Sequence, residues 1–133
     1  AYANANGYIG RAIVNAGNLL GKETHAIEVA DNIDELTLAV TADAWSRTYR
    51  SSCVTLCHKP MITTKHGLQV LVDRTNPRGL NLLPGLPAEP GLGIDRALAG
   101  IHERYGLPTA AFVALQLEHP WPPGIELVSQ QGV

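Results

Sequence analysis

The chain has 133 residues, a formal net charge of -2 at pH 7 and 45% hydrophobic residues. This size suits one domain with its own core, and the charge argues against nucleic acid as a partner, because phosphate binding requires a basic surface. No apolar run approaches the roughly 20 residues that cross a bilayer, so we expect no membrane span. The two cysteines are too few for a disulfide scaffold and favour a reducing compartment such as the cytoplasm.

An N-terminal helix is predicted over residues 1–22. Its apolar residues recur at three- and four-residue steps, which is typical of one face of a helix. They are Ile9, Ala12, Ile13, Ala16 and Leu20. The same segment has neither a basic start nor a continuous apolar core, so we expect no signal peptide.

A strand followed by a helix is predicted next. Residues 25–30 alternate loosely between apolar and polar, and Asp31 or Asn32 is expected to cap the helix that follows. Asp34 and Glu35 then fall in the first turn, where the helix dipole favours negative charge. The apolar residues that recur at helical spacing, and so predict its buried face, are Ile33, Leu36, Val40 and Ala44.

Residues 25–85 together are predicted to form a strand, a helix, a hairpin and a strand. β-branched residues around Cys53 and Cys57 favour an extended chain, in which these two side chains face the same way. A turn at residues 65–67 is expected to close the hairpin. The apolar run at residues 80–83 is expected to form a brief strand inside a loop rich in proline.

Two helices are predicted in residues 93–119, before a tail over residues 120–133. Gly106 is expected to end the first helix and Pro108 to begin the second. The residues predicted to lie on the buried face of the first helix are Ile94, Ala97, Leu98, Ile101 and Tyr105. The whole chain is therefore expected to form a single domain.

Cys53, Cys57 and His58 are the side chains that a c-type haem would need, since two thiols bond the porphyrin and a histidine binds its iron. The usual spacing has two residues between the cysteines, and this chain has three. In a helix the thiols would be neighbours, but in a strand they would lie about 13 Å apart, too far for one haem. We favour a strand with buried structural cysteines and keep a haem c electron-transfer protein as the alternative.

A zinc site is a weaker alternative that uses the same cysteines together with His58 and His66. These side chains are the ones that zinc prefers. The extended geometry opposes such a site, and no second Cys-x-x-Cys pair supports it. We therefore expect neither a metal nor a cofactor. If a metal is bound after all, His58 and His66 are the weak candidates for its ligands.

Four segments resemble the ThiJ/PfpI superfamily, the glutamine-amidotransferase-like α/β domains. AIEVADNIDELTLAVTADAWSR is similar to the first strand and helix of that family, and KPMITTKHGLQVLVDRTNP to its following hairpin. LNLLPG resembles the next strand, and GIDRALAGIHERYGLPTAAFVALQLEHPW resembles the late helices. The resemblance covers residues 25–85 and 93–121. It implies an α/β fold with a small, mainly parallel sheet and flanking helices, a truncated flavodoxin-like or amidotransferase-like domain.

The catalytic part of that family is missing from this sequence. Catalysis in the family rests on a cysteine at a strained strand-to-helix elbow, with an acidic residue near the first helix. Here the chain runs from Pro84 and Gly85 through a proline-rich loop directly into the late helices. Glu35 matches the acidic position loosely, and Cys57 falls on the second strand. Glu35 and Cys57 are therefore only weak candidates for catalysis.

The missing elbow favours a non-catalytic module that senses a small ligand or interacts with another protein. Loss of the middle of a doubly wound domain should leave apolar surface uncovered, so we expect a homo-oligomer or a subunit of a larger complex. The alternatives are the haem protein described above and a hydrolase or lyase. The latter would act on small carbonyl or isonitrile compounds with a nucleophile supplied by another chain.

Overall fold

The order of secondary structure follows the predicted strand, helix, hairpin, strand and two late helices. A computed structural model describes residues 22–120. Its elements in chain order are β1 (Glu23–Glu28), α1 (Glu35–Ser46), β2 (Ser51–Leu56), β3 (Met61–Thr63), β4 (Gln69–Leu71), β5 (Asn81–Leu82), α2 (Pro90–Tyr105) and α3 (Leu107–Gln116). The helix predicted over residues 1–22 and the tail predicted over residues 120–133 lie outside the described residues, except for Lys22 and Pro120.

Three strands form a parallel sheet with the order β2-β1-β5. Strand β1 is central: it pairs with β2 along all 6 of its residues and with β5 at His25 and Ala26. Parallel neighbours need a crossover connection, and α1 supplies it between β1 and β2. The predicted α/β class, with a small, mainly parallel sheet flanked by helices, is confirmed. None of the helices within residues 22–120 has the length and apolar character that a membrane crossing requires.

Helix α1 begins at a different residue from the predicted cap. Asp34 is the N-cap, and its Oδ1 accepts a hydrogen bond from the backbone N–H of Thr37 at 2.8 Å. The prediction that Asp31 or Asn32 caps the helix was wrong. Asp31 instead accepts a hydrogen bond from the Lys59 side chain. Asn32 has a φ of 72°, so the chain turns through the left-handed region before the helix starts.

The buried face of α1 only partly matches the prediction, because two threonines and a tryptophan lie on it and the predicted Ile33 and Val40 are half-buried. Its buried residues are Thr37, Thr41, Ala44 and Trp45. The position of Ala44 is confirmed, but Leu36 is 57% exposed and its predicted burial was wrong. The face that packs against α2 carries Thr37 instead, and a Cβ on Gly93 of α2 would lie 3.2 Å from Thr37 Cγ2.

Helices α2 and α3 supply most of the main core. Helix α2 begins at Pro90 and not at the predicted residue 93, because proline suits the first turn of a helix. It ends before Gly106 as predicted, where a φ of 91° favours glycine. The predicted inner face is confirmed by the burial of Ala97, Leu98 and Ile101.

Trp45 joins both long helices to the central strand. A Cβ on Gly100 of α2 would lie 2.9 Å from Trp45 Cζ2, so only glycine leaves room for the indole. On its other side the indole contacts the ring of His25 in β1, with 4.5 Å between the ring centroids. The distance between α1 and α2 is therefore fixed by one aromatic side chain that also contacts the sheet.

Strands β3 and β4 form the predicted hairpin. They are antiparallel, and the turn between them includes Gly67 at a φ of 85°. The hairpin is a separate sheet of two strands and does not extend the parallel sheet. Leu71 is 78% exposed, so one edge of the hairpin presents apolar side chains to solvent.

His25 is an almost fully buried histidine at the amino end of the sheet. Its side chain is 1% exposed and contacts the rings of Trp45 and Tyr105. The Nε2 atom lies 3.1 Å from the Tyr105 hydroxyl, whereas the buried Nδ1 atom has no hydrogen-bond partner within residues 22–120. Burial, followed by the charge of Arg104, lowers the pKa of His25 below the ordinary histidine value.

This environment predicts that acid destabilises the fold through His25. Since the pKa is lower in the folded state, the unfolded chain binds more protons, and stability is lost as the pH falls below about 6.5. We expect the urea midpoint to drop between about pH 8 and pH 5, with a smaller drop for His25→Gln. The difference between the two proteins reports on His25 and on its electrostatic interaction with Glu23, because the other titratable groups are present in both.

The same titration can be followed directly by the ring signals of His25 in NMR spectra of the folded protein. A ring pKa at or above 6.5, or urea midpoints that change in parallel in both proteins, would contradict this prediction. The NMR measurement does not depend on whether the substituted protein folds.

Candidate functional site

The carboxyl ends of the three parallel strands meet at one edge of the sheet. From β1 the chain crosses to β2 on one side, and the next strand of this sheet, β5, lies on the other side of β1. Successive strands are therefore added on opposite sides of β1, which makes β1 the point where the strand order reverses. In open α/β sheets, ligands bind in the crevice outside the carboxyl ends of the strands at such a switch point.

A cavity of about 520 Å³ opens at this edge of the sheet. Its volume falls within the range of small-molecule sites, which is roughly 300–1,000 Å³. The residues that β1 and the following loop contribute are Glu28, Val29, Ala30 and Ile33. The end of β2 contributes Leu56, Cys57 and His58, and the segments around β5 contribute Thr75, Pro77, Leu82 and Leu86.

The wall of the cavity is mostly apolar, with a few polar groups at its border. Val29, Leu56 and Cys57 are buried, so one side of the wall is continuous with the core. Glu28 is exposed, and its carboxylate makes no side-chain hydrogen bond or ion pair in the described part of the chain. A largely apolar wall with a few polar groups is the usual composition of a small-ligand site.

The loop after β1 is held in place by contacts with the segment that follows β2 and with the hairpin. Asp31 forms an ion pair with Lys59, and its Oδ1 also accepts the backbone N–H of Thr63 at 3.0 Å. The Lys59 hydrogen bond is the largest cause that lowers the pKa of Asp31. The backbone N–H of Asn32 donates to the Thr63 carbonyl at 2.8 Å. These contacts fix one rim of the cavity independently of any ligand.

Cys57 lines the cavity one residue beyond the end of β2. Its Sγ accepts the backbone N–H of Lys59 at 3.5 Å and lies 3.9 Å from Nδ1 of His58. Cys57 and His58 are thus adjacent at the candidate site, although 3.9 Å is near the limit for a hydrogen bond to sulfur. The arrangement places a thiol at the wall without the strained turn that exposes a nucleophile.

Cys53 lies in the middle of β2, and the extended path predicted for this segment is confirmed. Its side chain packs against both core clusters, away from the cavity. Along a strand, four residues separate Cys53 from Cys57 by about 13 Å. Both cysteines are free thiols. The structure therefore does not bring the haem candidates Cys53, Cys57 and His58 to one centre.

His66 and Glu35 meet at a different place from Cys57. Nδ1 of His66, at the hairpin turn, lies 2.5 Å from Oε1 of Glu35 at the start of α1. Hydrogen bonding by its own backbone N–H is the largest cause that lowers the pKa of Glu35. Neither residue lines the cavity. The two catalytic candidates, Glu35 and Cys57, are therefore not in contact with each other.

The metal candidates are also separated. His58 contacts Cys57, whereas His66 pairs with Glu35. Among residues 22–120 no group of three or more histidine, cysteine, aspartate or glutamate side chains could hold a metal ion.

Sequence reasoning missed most of the residues that form the cavity. Glu28 and Thr75 have no motif around them, and Leu82 and Leu86 look like parts of an ordinary loop in the sequence. Only the position of Glu28 near the end of the first predicted strand could have pointed to the site, because ligands bind at the strand ends in this class of fold.

No family model and no curated protein matches the sequence. Among solved structures the chain is similar to the crystal structure of VC2308 protein, with 14% sequence identity and a TM-score of 0.37. The similarity covers 74% of this chain and 59% of that chain. The chain therefore spans less than two thirds of that structure. A likeness at this level supports no conclusion about fold or function, and the ThiJ/PfpI resemblance stays a prediction.

The core position of Cys53 predicts a thiol that reacts slowly. Burial raises the pKa of Cys53 to about 12. The reactive thiolate is then about a thousandfold scarcer than for an ordinary cysteine. In the Cys57→Ser protein at pH 8, we expect iodoacetamide to alkylate Cys53 at least about a hundredfold more slowly when the chain is folded than in urea.

Mass spectrometry measures this rate, and the Cys53→Ser protein serves as the control that reports on Cys57 alone. A folded-state rate for Cys53 within about tenfold of the rate in urea would contradict the predicted protection.

Proposed function

We propose that this chain is a non-catalytic module that binds a small ligand in the cavity at the carboxyl edge of its parallel sheet. The position of the cavity carries the proposal, because an opening of about 520 Å³ lies at the topological switch point next to β1. The apolar wall and the preformed rim support it, since a site that is built before binding loses little entropy when a ligand enters.

The distribution of reactive side chains supports a role without catalysis. Glu35 pairs with His66, and the Cys57 thiol contacts only its neighbours His58 and Lys59 among the polar groups of residues 22–120. A nucleophile would need a base within hydrogen-bonding reach and a group that orients that base. No third group forms a hydrogen bond with the His58 ring in the described part of the chain, so nothing of that kind orients it toward the Cys57 thiol.

The order of elements supports the proposal that this is a shortened relative of the ThiJ/PfpI superfamily. Strand, helix, strand, hairpin and strand precede two helices, which is the order that the resemblance implies. Between β5 and α2 the chain passes through Pro84 and Gly85 without a strand-to-helix elbow. Within that proposal, the ligand site remains while the nucleophile is lost.

Filling the cavity with a large side chain should abolish ligand binding. Ala30 is exposed at the cavity wall, so Ala30→Trp can occupy the opening without disturbing the core. We expect small apolar compounds to shift the backbone NMR signals of the three strand ends in the native protein. In the Ala30→Trp protein their affinity should fall at least about tenfold.

The matched control is Ala39→Trp, the same change at an exposed position on α1 away from the cavity. It should bind the compounds as the native protein does. Signal changes that map away from the strand ends, or equal binding by both substituted proteins, would refute the location of the site.

We also propose that two copies of the chain associate through the hairpin. The exposed apolar side chains of the hairpin and its turn are Met61, Leu68 and Leu71. Met61 and Leu71 are cross-strand partners and so lie side by side on one face of the hairpin, and exposed apolar patches mark interaction sites. A second copy of the chain suits this patch, because a two-fold symmetric contact covers the patch of each copy with that of the other.

Sedimentation measurements test the association. We expect a dimer at micromolar concentration and a monomer after Leu71→Lys, since the new charge would be buried in the contact. Leu92→Lys, on exposed α2 surface away from the hairpin, is the control and should leave the dimer intact. A native protein that sediments as a stable monomer would refute this proposal.

A further inference from the structure

We infer that the cavity at the carboxyl edge selects a cationic ligand, a small apolar amine, through the carboxylate of Glu28. This inference rests on the proposed ligand-binding function and specifies the chemical class of the ligand. It follows from the one charge in the wall of the cavity and from the absence of basic side chains in that wall.

Glu28 is the only formally charged group in the described wall when histidine is neutral. Its carboxylate lies at the end of the central strand β1, where the cavity opens. No residue within 22–120 forms a side-chain hydrogen bond or an ion pair with this carboxylate. The group is therefore available to a ligand.

Three basic residues neighbour the lining residues in the sequence, and none of them is part of the described wall: Lys59, Arg74 and Arg78. Lys59 follows the lining residue His58 in the sequence, and it forms an ion pair with Asp31. Arg74 precedes the lining residue Thr75 and donates from Nη2 to the Arg78 carbonyl at 3.0 Å. No lysine or arginine is part of the described wall, so an anionic ligand would find no fixed positive charge there.

The N-terminus of α1, which follows the lining residue Ile33, does not supply an anion site either. The Asp34 side chain accepts the Thr37 N–H at 2.8 Å and so occupies one of the free backbone donors. Glu35 adds a second negative charge in the first turn. These carboxylates offset the positive end of the helix dipole.

The apolar wall strengthens an interaction between Glu28 and an amine. Leu56, Leu82 and Leu86 give one side of the cavity an apolar surface, and a charge pair is stronger where the effective dielectric constant is lower. The hydrocarbon part of the ligand would contact the leucines while its ammonium group lies beside the carboxylate. An alcohol of the same shape would gain only the apolar contacts.

Three compounds with the same body test this selectivity: 2-phenylethylamine, 2-phenylethanol and 3-phenylpropionate. In NMR titrations of the full chain at pH 7, the amine should bind about two- to fivefold more tightly than the alcohol, and the carboxylate most weakly. Added salt should weaken binding of the amine and leave the alcohol unchanged.

The Glu28→Gln protein should bind the amine about as weakly as the alcohol, with no change for the alcohol. Glu103→Gln, at an exposed position on α2 outside the cavity, is the matched control and should retain the preference for the amine. Circular dichroism spectra verify that both proteins fold.

The outcomes separate this inference from the function on which it rests. Equal binding of amine and alcohol, or strongest binding of the carboxylate, at the strand ends would overturn the amine selectivity and leave the ligand-binding function intact. Failure of all three compounds to bind, together with failure of other small apolar compounds, would overturn both.

Discussion

The close contact of Trp45 with Gly100 fixes the geometry on which the rest of the structure depends. The indole fills the space that a Cβ on Gly100 would need, and its opposite side contacts His25 in the central strand. Helix α1 is the crossover between β1 and β2, so its distance from α2 sets how the helices cover the sheet. A larger residue at position 100 would force the helices apart, at a cost of about 1–3 kcal/mol in stability.

The cavity follows from that arrangement together with the contacts of the first loop. Helix α1 begins at the cap residue Asp34, and the short segment before it must connect the end of β1 to this fixed point. Asp31 and Asn32 then attach the segment to Lys59 and Thr63. The opening between the strand ends is therefore a product of chain connectivity, and the polar contacts keep it from closing.

Local sequence patterns predicted which segments form helices and strands better than they predicted which helix faces are buried and which residues line the cavity. The end of α2 at Gly106 and the extended path through Cys53 depend on nearby residues, and the sequence was sufficient for both. The burial of Thr37 in place of Leu36 depends on which face packs against α2, which is a tertiary property. The cavity could not be predicted residue by residue, because its wall comes from segments that only the complete fold brings together.

Glu28, Leu56 and Leu82 are distant in sequence and adjacent only where the three strands end. An unfolded chain has no such cavity, so a ligand that occupies it binds the native state alone. Binding then raises the free energy of unfolding by mass action. The increase is about 2.7 kcal/mol when the ligand concentration is a hundred times its dissociation constant. Cellular levels of this chain would consequently rise with ligand concentration, through slower proteolytic turnover and with no change in synthesis.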